Sequence, residues 1–133
     1  MALDVGSKTI GVAITDPLKI TVRPLKTLLR ENLESDAEQI GALIEEQDIE
    51  RLVVGMPTHL GGQRSTTADL IEPLVKLLED NLEIPVASAE ERLSTKEAER
   101  LMAEVRLPLA ERRQRRNEFA AAVILEWYLE ECR

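Results

Sequence analysis

The sequence predicts an α/β fold, a mixed five-stranded β-sheet flanked by helices, and three observations carry that prediction. Two short apolar runs, "MALDV" and "TIGVAIT", flank a Gly-Ser-Lys turn and read as a hairpin. Further along, strand-like runs alternate with stretches of helical spacing, the pattern of crossover units. The last segment is apolar on most faces, which suits a helix lying deep against a sheet. A hairpin meander feeding crossovers mixes antiparallel and parallel pairing in one sheet.

In chain order, Met1, Ala2, Leu3 and Val5 form the first strand, and Gly6, Ser7 and Lys8 turn the chain into the second, from Thr9 to Ile14. "DPLK" supplies another turn, and "ITVRPLKTLLR" reads as a third strand. A helix is predicted over 34–47, where Ala37, Ile40, Leu43 and Ile44 recur at helical spacing. "IERLVVGMP" is a buried strand stopped by Gly55 and Pro57. The loop "THLGGQRSTT" ends in hydroxyl residues able to cap a helix with the stripe Ala68, Ile71, Leu74, Val75 and Leu78. "EIPVASAEERLST" begins as a strand through Ile84 and Val86, passes to acids, and ends with Ser94 or Thr95 capping a helix that carries Ala98 and Leu101. Pro108 breaks that helix, and the final one is predicted to open at Asn117 and Glu118 and to run apolar from Phe119 to Leu129. No repeat or linker divides the 133 residues, so a single domain is expected.

Composition narrows the function. Aromatic residues make up 2% of the chain, too few for a platform that stacks single-stranded bases. A formal charge of −8 argues against non-specific coating of nucleic acid, so any phosphate contact must be local. The one local excess of positive charge is "ERRQRRNE", with Arg112, Arg113, Arg115 and Arg116, which is either a solvated run or a phosphate-contacting patch. A single cysteine, Cys132, forms no internal disulfide and fits a reducing cytosol. No apolar run reaches the roughly 18 residues that span a membrane, and no signal-like segment opens the chain, so a cytoplasmic protein without membrane partners is expected.

Asp4 is the residue that asks for chemistry. It interrupts an otherwise buried strand, and a buried carboxylate must be neutralised, hydrogen-bonded or bound to a cation. In open α/β sheets ligands gather at the carboxyl ends of strands. Two polar regions could meet Asp4 there: Glu90 and Glu91 at the end of the last strand, and Asn117 with Glu118 on the final helix. Converging carboxylates bind a hard divalent cation such as Mg²⁺ or Mn²⁺ through oxygen, which suits phosphodiester hydrolysis.

"ALDVGSKTIGVAITD", "VVGMPTHLGG", "EERLST" and "AAAVILEWYL", in that order and over almost the whole chain, resemble the YqgF (RuvX) family of pre-16S rRNA nucleases and Holliday-junction-resolvase-like proteins. The resemblance implies a ribonuclease H-like fold and cation-dependent cleavage of nucleic acid, in 5′-end processing of pre-16S rRNA or on structured DNA; a monomer or homodimer is expected. It places the first-strand aspartate on Asp4 and the Asp-Glu-Arg-Leu motif on Glu90, Glu91, Arg92 and Leu93, with Glu90 in place of aspartate. The family's last acid falls on Asn117, an amide with no charge to offer a cation, while Glu118 beside it points about 100° away around the helix. Asp4, Glu91, Asn117 and Glu118 are therefore the candidate catalytic residues, with Asp4, Glu91 and Glu118 as candidate ligands.

Plainer roles stand beside these. Asp4 could bond turn amides around Gly6 and Ser7, and Glu91 could be a surface acid paired with Arg92 or Lys96. Arg92 could brace the acids or contact phosphate, and Lys8 could touch phosphate or simply be solvated. His59 reads as a surface histidine and Thr95 as a helix cap. Actin-like ATPases and sugar kinases share the opening motif but need two such domains, which this length does not supply. A nucleic-acid or ribosome-biogenesis binding module that has lost cation chemistry at Asn117 is the second reading.

Overall fold

The computed structural model describes residues 1–57, 66–90 and 94–132. Five strands, β1 (Ala2–Val5), β2 (Thr9–Thr15), β3 (Val22–Leu29), β4 (Leu52–Met56) and β5 (Val86–Glu90), form one sheet in the order β3-β2-β1-β4-β5. The hairpins β1–β2 and β2–β3 are antiparallel, and β1–β4 and β4–β5 are parallel, so the mixed sheet expected from the sequence is the one observed. Four helices complete the order: α1 (Leu33–Glu46), α2 (Thr66–Asn81), α3 (Ser94–Glu104) and α4 (Leu109–Glu131).

Period-two alternation divides the sheet residues between two cores. Leu3, Val5, Ile10, Val12, Leu52 and Val54 pack with Ile40, Leu43 and Ile44 of α1 and Ile71, Leu74 and Leu78 of α2. Ala2, Ala13 and Val53 face the other way, against Ala121, Ala122, Ile124 and Leu125 of α4. Asp4, two residues after Ala2, therefore lies on the α4 face. Ala98 and Met102 of α3 cover the outer side of α4 at Phe119, Ala120 and Val123. That explains why α4 is apolar all round here: the sheet takes one side and α3 another.

The α4 face of the sheet is built from small residues. A Cβ at Gly11 would overlap the carbonyl group of Asn117, so the helix backbone rests directly on β2 there. A side chain of any size would lift α4 off the sheet.

Two expectations need correction. The final helix begins at Leu109, just after Pro108, so Asn117 and Glu118 lie in its interior and not in its first turn. The run from Leu109 contains neither Gly nor Pro and is rich in Arg, Glu, Gln and Ala, all strong helix formers, so it stays helical without an apolar stripe to announce it. Ser94 and Thr95 both lie inside α3, with Ser94 buried and Thr95 exposed, so Thr95 is not the cap.

Candidate nucleic-acid-processing site

The strand register sets the geometry. Asp4 on β1 pairs with Gly11 on β2, and Gly11 pairs with Thr27 on β3, giving a row of Asp4, Gly11 and Thr27 across three strands on the α4 face. Asp4 is half-buried. Because α4 settles on Gly11, the middle of the row, Asn117 and Glu118 are delivered to its two sides.

Asn117 turns toward the β1–β2 hairpin. Its Nδ2 donates a 2.7 Å hydrogen bond to Thr9 Oγ1 and lies 3.3 Å from where a Cβ on Gly6 would be. The glycine thus lets the turn after Asp4 close against the amide. Glu118 turns toward β3 and is buried at 5% exposure. Thr27 Oγ1 donates to its Oε1 at 3.3 Å, and Arg115 Nη2 donates to its Oε2 at 3.3 Å. Arg115 also lies over the Phe119 ring, 5.2 Å from its centroid. The two neighbours on the helix therefore serve different strands, and the side nearer Asp4 belongs to Asn117.

Glu91 and Arg92, like His59, lie outside the described residues. Glu90 ends β5 opposite Met56, exposed and on the pleat opposite Ala89. Among the described residues no group of three or more His, Cys, Asp or Glu is placed to hold a metal ion. Asp4 contributes a carboxylate to the α4 face, and the Asn117 amide and the Thr9 hydroxyl stand at the hairpin that follows it. Among the described residues these are oxygen-bearing groups, the kind of donor a hard cation prefers.

The positive residues are distributed unevenly. Lys8 is exposed in the β1–β2 turn. Arg112 Nε donates to the Leu107 carbonyl at 2.8 Å, fastening the link between α3 and α4. Arg116 Nε stands 3.4 Å from Glu99 Oε1 of α3. Arg113 is exposed, and Arg115 is committed to Glu118. The four arginines thus share a helix but not a single task.

Sequence reasoning missed Thr9, Gly11 and Thr27 as parts of the site. The signal was present in "TIGVAIT", where Thr9, Gly11 and Ala13 recur every second residue as the small face of a strand. Only the pairing shows that Thr27 extends that face.

The chain has close relatives. It is 35% identical over 130 residues to a protein of Desulforamulus reducens named "Putative pre-16S rRNA nuclease", covering 98% of this chain and 95% of that one. Proteins of the same name in Moorella thermoacetica and Symbiobacterium thermophilum are 38% identical over 130 residues (98% and 93% of the two chains) and 39% identical over 128 residues (96% and 89%). Among solved structures, Thermus thermophilus RuvC in complex with a Holliday junction substrate superposes with a TM-score of 0.57 at 15% identity, covering 97% of this chain and 92% of that one. Fowlpox virus resolvase in complex with Holliday junction DNA gives 0.52 at 11%, covering 98% and 95%. The RuvC likeness is one of fold, and it makes the mixed sheet with its flanking helices ribonuclease H-like. With the family profile described as Holliday junction resolvase matching residues 1–131, the chain belongs to the RuvX family.

Proposed function

We propose that this protein is a nuclease that hydrolyses phosphodiester bonds with the help of Mg²⁺ or Mn²⁺, and that its substrate is precursor 16S rRNA in the cytoplasm. The observation that carries this reading is the position of Asp4, a half-buried carboxylate at the carboxyl-end side of β1, on the face where α4 brings Asn117 to the row it belongs to. Family membership and the relatives' name support the same chemistry and point to the substrate. Asp4 and Glu91 would supply the anionic oxygens, with Asn117 contributing a neutral one. Glu118, bonded to Thr27 and Arg115, would set the electrostatics of the helix side. When bound, a divalent cation acidifies the attacking water and offsets charge on the phosphate oxygens. Lys8, Arg92 and the exposed Arg113 of α4 would hold the phosphates of the strand.

Cleavage of an end-labelled pre-16S rRNA fragment by the purified protein, with Mg²⁺ or with chelator, tests the reading. Wild type should cut only with the cation, and Asp4→Asn should abolish cutting while melting like wild type. A four-way DNA junction assayed in parallel separates RNA processing from junction resolution. Cutting that survives in Asp4→Asn would remove Asp4 from the mechanism.

One observation favours a second reading, binding without turnover. Asn117 occupies the helix position nearest Asp4 without a charge, and Glu118 is already neutralised by Arg115. RNA binding that is intact while millimolar Mg²⁺ neither binds nor promotes cutting would establish that reading instead.

A further inference from the structure

The ion pair between Arg30 and Asp36 lies outside every role assigned so far. Asp36, in the first turn of α1, is among the few charged residues that are buried, and Arg30 follows β3. Arg30 Nε donates to Asp36 Oδ2 at 2.9 Å, with side-chain exposures of 11% and 2%. Asp36 Oδ1 accepts from the Glu31 amide at 3.0 Å, so both carboxylate oxygens are engaged. Another arm of the guanidinium leaves the pair altogether. Nη1 donates 3.0 Å to the carbonyl of Gly6, twenty-four residues away, and lies 3.5 Å from the Leu70 carbonyl on α2. The Arg30 amide itself donates to the Lys8 carbonyl at 2.9 Å.

We propose that the Arg30–Asp36 pair is a positioning device for the candidate site, fixing the Gly6–Thr9 turn on which the relation of Asp4 to Asn117 depends. The inference rests on the nuclease reading above. Arg30 has the parity of Leu28, a residue of the core against α1 and α2, so it reaches the turn from that side. Asn117 reaches the same turn from the α4 side, through Thr9 Oγ1 and the bare Cα of Gly6. The turn is gripped between the two, and Asp4 leads directly into it. A planar fork suits this task because one guanidinium can hold a carboxylate and a carbonyl at once in fixed directions, which a lysine ammonium does less well. A buried ion pair is also a poor device for stability alone, since apolar side chains of similar size often replace one without loss. That makes stability and positioning separable.

The experiment compares wild type with Arg30→Lys and with the double variant Arg30→Met/Asp36→Leu. Arg30→Lys carries the test should the double variant fail to fold, and the double variant carries it should Arg30→Lys fail. Three readouts are taken well below each melting temperature: hydrogen exchange of the Gly6 amide, which donates 2.8 Å to the Thr9 carbonyl; Mg²⁺ titration of the Asp4 amide resonance; and kcat and KM for the labelled pre-16S rRNA fragment. In the double variant the Gly6 amide should exchange at least about tenfold faster while the Val12 amide, in the core of β2, keeps its protection. The Mg²⁺ midpoint should rise and kcat should fall about tenfold, with KM within twofold. Arg30→Lys should be intermediate on every readout. A purely structural pair would instead speed exchange at Gly6 and Val12 together and leave kcat per folded molecule unchanged, which overturns the inference. Unchanged Gly6 exchange in a folded variant overturns it too. Wild type that cuts no RNA defeats the nuclease reading by itself, and the Gly6 exchange and Mg²⁺ titration then decide the positioning role.

Discussion

Asn117 Nδ2 donates to Thr9 Oγ1 across 2.7 Å, joining the middle of α4 to the first residue of β2. The bond ties the candidate site's uncharged member to the strand that pairs with Asp4's own. It also uses one amide hydrogen and leaves Oδ1 as the acceptor available elsewhere. Thr9→Val keeps the side-chain shape but deletes the acceptor, leaving a half-buried donor unsatisfied. It should lower stability by about 1–3 kcal/mol, the cost of an unmade bond, in urea denaturation. A change under about 0.3 kcal/mol would mean that solvent replaces the hydroxyl without penalty.

Gly11→Ala tests the closeness of helix to sheet. The new methyl would overlap the backbone of Asn117 and Glu118, and backbone inside a packed helix cannot step aside as a flexible side chain can. Overpacking of this kind costs about 1–3 kcal/mol or more. The expected result is a loss at or above the upper end, read from chemical denaturation, together with a disturbed Asn117 side-chain amide resonance. Wild-type stability in Gly11→Ala would show that α4 stands further from β2.

The fold was legible because its elements obey simple periodicities. The hairpin around Gly6, the stripes of α1 and α2 and the apolar length of α4 all follow from spacing, and the structure keeps them. The start of α4 was not legible, because Arg112 to Arg116 lack an apolar face and helix propensity alone had to be trusted against a charge run. The site was half legible. Asp4 stands out as an acid in a strand, but Thr27 joins its row, across Gly11, only through register, and Arg30 reaches Gly6 only through a long-range contact with no local pattern. Asn117 and Glu118 could not be separated on the sequence, since either helix face below them is apolar. Their partners, Thr9 for one and Thr27 with Arg115 for the other, separate them.

At the far end of α4, Glu126 gives a pH prediction. Glu126 is exposed, yet partial desolvation raises its pKa above the ordinary 4.5, and repulsion from Glu130 and then Glu97 adds to the shift. A folded-state pKa above the unfolded one means that the folded chain holds the proton more tightly, so the penalty is absent below the unfolded value and grows as pH rises through the folded one. Glu126→Gln should therefore raise the melting temperature at pH 7 and leave it unchanged well below pH 4.5. Equal effects at both pH values would locate the cause in packing.

The arginines of α4 divide into different tasks, and salt dependence can tell them apart. Arg113 is exposed, whereas Arg112 holds the Leu107 carbonyl. If Arg113 contacts phosphate, Arg113→Gln should reduce the slope of log K against log salt for RNA binding by about 0.7–0.9, the share of one phosphate, without lowering the melting temperature. Arg112→Gln should do the reverse, lowering stability by about 1 kcal/mol through the lost hydrogen bond. Identical salt slopes for wild type and Arg113→Gln would make Arg113 a solvated side chain.

The uncharged position beside Asp4 gives the sharpest prediction. In Asn117→Asp the Thr9 hydroxyl can rotate and donate to the new carboxylate, so the bond to β2 survives with its direction reversed. The variant also adds a negative oxygen on the side of α4 nearest Asp4, where a hard cation prefers carboxylate to amide. Asn117→Asp should therefore lower the Mg²⁺ concentration at half-maximal cleavage by about tenfold or more, with little change in melting temperature. Glu118→Gln in that background should leave the Mg²⁺ midpoint alone, because Glu118 is directed to Thr27 and Arg115 on the β3 side. It should cost stability instead, because Arg115 loses its ion pair and Thr27 its carboxylate acceptor. A Mg²⁺ midpoint that moves with Glu118→Gln and not with Asn117→Asp would reverse the assignment and make Glu118 the acid that faces the cation.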